Sequence, residues 1–218
     1  MAHWSQRLLS HLHPIPIAEG MGLHGPLELT LERGRYVVNS PNANQSQGSL
    51  HRIMRVALRT AMAGGPLPQH VVVLGLGAGS AVDVLRDELG HHGPITGVER
   101  EPLMLRWGRE HFGLGRHRDL TVVEADAEAW LASAPPPADL VVVDLFEDDR
   151  VPAWLGARSA LDLLRSATRS GGSLVFNTMP LAGAQEELVD RIERGLRERF
   201  DRLERLVLEG TNAVFIAR

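Results

Sequence analysis

Neither cysteine nor lysine occurs among the 218 residues; all 23 basic side chains are arginine. The missing thiols exclude disulfides, thiolate nucleophiles, iron–sulfur clusters and cysteine-ligated zinc. The missing lysines exclude Schiff-base chemistry, pyridoxal phosphate anchoring and a P-loop lysine. Tyrosine is nearly absent too, with Tyr36 the single example. No run approaches the roughly 18 uninterrupted apolar residues of a membrane span. The first 20 residues lack a cationic stretch followed by a long apolar one, so no secretory signal is read there and a cytoplasmic protein is expected. Charge of neither sign dominates, at a net −4, and no basic footprint for nucleic acid or an anionic membrane results. Any chemistry must therefore use carboxylates, histidines, hydroxyls, backbone amides or a borrowed co-substrate.

What is present is enough apolar residue, 44%, to bury a sizeable core. From about residue 70, short apolar β-branched runs alternate with helical spacing. The runs are VVVLGLG (71–77), ITGVE (95–99), LTVVEAD (120–126), LVVVDL (140–145) and SLVFN (173–177). Each is apolar on both faces, as buried parallel strands are. Between them, Val82, Leu85 and Leu89 mark one helix, Leu103, Trp107 and His111 a second, and Ala157, Leu161 and Leu164 a third. Residues 186–200 predict an amphipathic helix, and LERLVLE, a Gly-Thr-Asn turn and AVFIAR predict a closing hairpin. The expected fold is α/β and Rossmann-like, a seven-stranded mostly parallel sheet ending in an antiparallel hairpin. Residues 1–48 differ in texture. LELTLERGRYVVNS (27–40) alternates around Arg33-Gly34 and predicts a small β-hairpin appendage or lid, followed by a polar connector at 41–49 and a helix from Leu50 to Ala63. The catalytic domain would then span 49–218.

The sharpest motif is Gly75-Leu76-Gly77-Ala78-Gly79, placed after a strand and opening a helix. Glycines serve there because the backbone turns tightly and a ligand approaches it closely. The GxGxG spacing suits a nucleoside with an amino-acid or amine tail, as in S-adenosylmethionine enzymes; a bare strand–helix turn is the plainer alternative. Glu99 ends the next strand, where a carboxylate accepts ribose hydroxyls. Asp126 ends the third strand, where it either accepts from an adenine amino group or caps the helix that follows. Asp144 ends the fourth, facing the reactive end of such a nucleoside, and could orient or deprotonate an attacking amine or hydroxyl. The acids Glu147, Asp148 and Asp149 beyond it read either as a field for a cationic acceptor or as a solvated loop.

VVVLGLGAG, GVEREP, VVEADAEAW, LVVVDLFEDDRVP and the preceding hairpin with NQSQGS resemble the spermidine synthases, the polyamine aminopropyltransferases of the class I methyltransferase fold. The resemblance spans about residues 25–218. It implies that Gly75, Gly77 and Gly79 with Glu99 and Asp126 hold S-adenosylmethionine or its decarboxylated form as co-substrate, without a metal. It implies that Asp144 assists the attacking amine, that the loop to Pro152 gates the site, and that the protein is a homodimer acting on a small amine. Leu50-His51-Arg52 stands where the family carries a Tyr-Gln-Glu type segment, which makes His51, with Glu147 and Asp144, a substrate-binding candidate. Ala78 replaces the family's acid in the glycine loop, and Asp144-Leu145-Phe146-Glu147 replaces Asp-Ser-Ser-Asp. The alternatives are a methyltransferase acting on another small molecule and a nucleoside-binding module without turnover.

Other signals are weaker. His11 and His13, and the pair His91-His92, lack partners at helical spacing for a metal. Phe176-Asn177 stands where a metal-dependent methyltransferase would want Asp-Asn. Trp107 and Trp130 are expected in packing, and Trp4 with Leu8 in a short docking helix or a frayed end.

Overall fold

A computed structural model describes residues 4–42, 44–46 and 48–218; Ala43 and Gln47 of the expected connector lie outside the described residues. The chain opens with helix α1 (Trp4–Leu9) and then strands β1 (Ile15–Gly22), β2 (Gly25–Glu32), β3 (Arg35–Asn39) and β4 (Asn44–Ser46). These strands form one antiparallel sheet in the order β1-β2-β3-β4. The expected hairpin is β2–β3, turning at Arg33 and Gly34 with φ of 50° and 78°. The structure widens it to four strands. Pro16, Gly20 and Gly22 depress the strand propensity of β1, which hides it from a reading of alternation alone.

Helix α2 (Gly48–Met62) leads into β5 (Val71–Leu74), α3 (Ser80–Asp83), β6 (Ile95–Glu99), α4 (Pro102–His111), β7 (Leu120–Glu124), α5 (Ala127–Ala132) and β8 (Ala138–Val143). Then come α6 (Arg158–Ala167), β9 (Thr168–Thr178), α7 (Ala184–Arg197), β10 (Leu203–Leu208) and β11 (Asn212–Ala217). The seven-stranded sheet has the order β10-β11-β9-β8-β5-β6-β7. All neighbours from β9 to β7 are parallel, and β11 is antiparallel to both β9 and β10. This is the mostly parallel α/β sheet that the alternating runs predict, and the class I methyltransferase-like fold that the resemblance implies. Strand periodicity sends Val71 and Val73 to one face and Val72 and Leu74 to the other. The first face is covered by α2 and α3, the second by α5, α6 and α7. No described helix is long and apolar enough to cross a membrane.

Two elements depart from their sequence pattern. The helix expected through Val82, Leu85 and Leu89 is α-helical only to Asp83, then widens to a π-turn over residues 84–88 closed by the Leu89 N–H on the Val84 carbonyl. Strand β9 begins five residues before the apolar run, passing a register shift opposite Ala138–Leu140. Gly172 permits this, since a Cβ there would stand 2.7 Å from the Asp139 carbonyl oxygen.

A third cluster joins the two sheets. Leu29 and Val38 from the small sheet pack on Leu103, Met104, Trp107 and Phe112 of the α4 region and on Ala78 of the glycine loop. Trp107 is 2% exposed, whereas Trp4 is 74% exposed. Trp107→Ala should therefore cost about 3–5 kcal/mol in chemical denaturation, and Trp4→Ala should stay within about 0.5 kcal/mol of the parent. Equal losses would mean that α1 is packed in solution.

Candidate active site

The sheet's strand order reverses direction between β5 and β8: the chain leaves β5 towards β6 and leaves β8 towards β9. The loops after these strands diverge and leave a crevice at their carboxyl ends, the usual ligand position in open α/β sheets. The Gly75 and Leu76 N–H groups both donate to the Val98 carbonyl, at 2.9 and 3.0 Å, which ties the glycine loop to β6. Gly75 has φ 82°, and a Cβ on it would collide with the carbonyl oxygen of Asp144. Only glycine lets the loop pass that close to β8.

Three carboxylates gather beneath this loop. Glu99 accepts the Gly77 N–H at 2.7 Å on one oxygen and the Glu101 N–H at 2.8 Å on the other. Burial raises its pKa against those backbone bonds, which lower it. The Arg100 backbone lowers it as well, and a carboxylate with about four acceptor sites still has room for a hydroxyl. Asp126 caps α5, accepting from the Glu128 and Ala129 N–H groups at 2.9 and 3.1 Å, while its other oxygen meets Arg100 at 3.3 Å. Asp144 accepts one bond from Asn177 Nδ2 at 2.8 Å. Burial pushes its carboxyl up to about 6, aided by the charge of Glu99 and opposed by the Asn177 bond. A group titrating there is ionised at neutral pH yet basic enough to accept a proton.

A cavity of about 1490 Å³, its open mouth included, runs from these carboxylates to the small sheet. Its acids are Glu99, Glu101, Asp126, Asp144 and Asp148; among the described lining residues Arg100 is the one guanidinium. Such a lining favours a cationic guest. Phe146, Trp154, Met104 and Met179 add apolar wall. Three sets of contacts close the mouth. Asp148, in the left-handed region at φ 60°, accepts from Ser40 Oγ at 2.5 Å and from Asn42 Nδ2 at 2.5 Å. Arg100 reaches Glu147 at 3.0 Å and also touches His24 on the β1–β2 turn. The Leu23 N–H on that turn donates to Glu101 at 2.5 Å.

Gly75, Gly77, Glu99, Asp126 and Asp144 thus line one cavity. Three expected residues do not. Gly79 lies behind the loop, where a Cβ would stand 2.7 Å from Leu114. Glu147 sits outside the lining on Arg100. His51 is turned away from the cavity: its Nε2 lies 2.7 Å from Glu88, which also binds Arg55 at 2.9 Å. Ser49, Leu50 and Ile53 take the cavity face of α2, so helical spacing leaves His51 on the side of the π-turn. Arg100, Asn177, Asn212 and Trp154 are among the lining residues to which the sequence assigned no role in a nucleoside site. Arg100 follows Glu99 directly, so its neighbour was a signal; Asn177 and Asn212 carry no local motif. Among the described residues no group of three His, Asp or Glu side chains could hold a metal ion.

No family model matches the chain. It is 26% identical over 129 residues, 58% of its length, to a protein of Bifidobacterium longum named "Probable polyamine aminopropyl transferase", of which the match covers 28%. The chain spans less than half the length of the curated relatives it matches. The structure superposes on a probable spermidine synthase from Corynebacterium glutamicum with a TM-score of 0.77 at 16% identity, covering 92% of this chain and 79% of that one. It superposes on human methyltransferase-like protein 13 in complex with SAH with a TM-score of 0.63 at 24% identity, covering 79% and 82%. The chain is similar in sequence to polyamine aminopropyltransferases and shares its fold with spermidine synthase.

The raised pKa of Asp144 has a consequence for stability. The folded state holds the Asp144 proton to higher pH than the unfolded chain, so stability falls as pH rises from about 4 to about 6 and stays lowered above. Asp144→Asn removes that penalty and still accepts from Asn177. At pH 7.5 it should be more stable than the parent by about 1–3 kcal/mol, with the difference vanishing near pH 4. Parallel denaturation curves at both pH values would show a constant gap if the carboxyl titrates normally.

Proposed function

We propose that this chain binds a sulfonium nucleoside, decarboxylated S-adenosylmethionine or S-adenosylmethionine itself, and transfers an alkyl group, here an aminopropyl group, to a small cationic amine. The observation that carries the reading is Asp144: a carboxylate raised to about 6, across the glycine loop from Glu99 and in a cavity whose charged lining residues are, Arg100 apart, acids. The glycine loop and Glu99 would hold the ribose and Asp126 the adenine end. The fit rests on the loop's close approach to β8 and on the remaining acceptor capacity of Glu99. The amino-terminal sheet would act as the lid, through Leu23 on Glu101 and Ser40 on Asp148.

The sulfonium supplies an activated carbon and a neutral thioether leaving group. The amine lone pair forms the C–N bond as the C–S bond breaks, and sulfur keeps that electron pair. Asp144 would draw the amine into line and take its surplus proton, releasing it to solvent. Acid catalysis of the leaving group is unnecessary, so positioning and exclusion of water supply most of the rate.

A second reading, methyl transfer to another small acceptor, is favoured by Ala78. This residue is 3% exposed and packed in the apolar cluster with Met104 and Trp107, so position 78 offers no carboxylate to a donor's amine. The products separate the two. Incubation with each donor and a panel of amines should release methylthioadenosine; release of S-adenosylhomocysteine instead would establish the second reading. Asp144→Asn should lower turnover at least about 100-fold with nucleoside binding retained, and unchanged turnover would remove Asp144 from the mechanism. Glu99→Ala should weaken both donors alike, seen as a smaller thermal shift on ligand addition.

A further inference from the structure

Asp144 is an acceptor-only group when ionised, so it forces the Asn177 side chain to present its amide nitrogen, at 2.8 Å. That leaves Asn177 Oδ1 facing the other way, where Asn212 Nδ2 donates to it at 3.0 Å. Asn212 Oδ1 accepts in turn from the Thr211 hydroxyl at 2.9 Å. The amide orientations are thus set from the carboxylate outward, and each link has one consistent sense. Asn177 is 1% exposed and Asn212 4%, and both border the cavity. Asn177 lies near the end of β9, paired with Val214 of β11, and Asn212 is the first residue of β11. The antiparallel hairpin that closes the sheet therefore reaches the floor of the cavity.

We infer that Asn177 and Asn212 are positioning residues, a two-amide relay from the carboxy-terminal hairpin that holds Asp144 by one oxygen and leaves the other directed at the acceptor amine. The inference rests on the reading of Asp144 given above, but the geometry it describes exists without any reaction. Two carboxylates at the ends of strands that flank β5 repel one another, and Glu99 on β6 is the charged group whose field Asp144 on β8 feels. On its other flanks β5 offers the uncharged glycine loop and β9 offers Asn177. Among the described residues the Asn177 bond is thus the one hydrogen bond that stabilises the charged form. Asn212 acts by holding the Asn177 amide so that its nitrogen cannot rotate away.

The test reads Asp144 directly. The carboxyl resonances of the full chain, labelled with 13C-aspartate, are titrated, and Asp144 is assigned by its loss in Asp144→Asn. Asn177→Ala should move its midpoint up by about one unit, the loss of one hydrogen bond to a charged group. Asn212→Ala should move it about half as far, and the double variant no further than Asn177→Ala alone, because Asn212 works only through Asn177. In turnover, kcat should fall about fivefold more at pH 6 than at pH 8, with the donor KM unchanged. An unmoved Asp144 midpoint in Asn177→Ala, or additive shifts in the double variant, would overturn the relay. If Asn177→Ala does not fold, Asn212→Ala carries the same titration, and an unmoved midpoint there rejects the role of the hairpin. A chain that transfers no alkyl group but shows the expected shifts would overturn the proposed reaction and leave the relay standing.

Discussion

The structure turns on the close passage of Gly75 over the backbone of Asp144. Strands β5 and β8 are hydrogen-bonded neighbours up to Leu74 and Val143 and then part in opposite directions. At the point of parting there is no room for a side chain on Gly75. That contact brings the glycine loop and the Asp144 carboxylate to the same place. The cavity, the raised pKa and the reach of the closing hairpin all follow from it.

A cost accompanies this arrangement. Asp144 and Glu99 each bear a desolvation penalty, and the charge of Glu99 raises the proton affinity of Asp144 further. Glu99 offsets the penalty with backbone N–H donors from its own turn and from the glycine loop. Among the described residues Asp144 has a single side-chain donor, Asn177. Asp144, with the weaker support, is raised to about 6, which is the property that proton acceptance requires. Function and stability are in tension at that residue, a common pattern at reactive sites.

The mouth is organised by different physics. Arg100 touches Asp126, Glu147 and His24, and Asp148 collects donors from Ser40 and Asn42, so exposed polar contacts tie the small sheet to the loop after β8. Exposed ion pairs of this kind are worth little each and exchange readily with water. The apolar cluster around Trp107 anchors the small sheet from below.

Much of this was legible in one dimension. Strands with both faces buried require unbroken apolar runs, and the runs at 71–77, 95–99 and 140–145 mark β5, β6 and β8 because hydrophobic burial is local in its residue demand. Glycines before a helix and acids at strand ends are likewise written in consecutive residues. Three things were not. β1 is a strand by virtue of its partner, since its own residues favour turns. His51 faces Glu88 instead of the cavity because the rotation of α2 is set by packing over its whole length. Asn177 and Asn212 are 35 residues apart and meet only through the pairing of β9 with β11. The sequence by itself determined the fold class and the acids at the strand ends, because each depends on the order of a few neighbouring side chains. Only the tertiary structure decided which groups face the cavity and which amide steadies Asp144, because those depend on register and helix rotation, and these are set by the core as a whole.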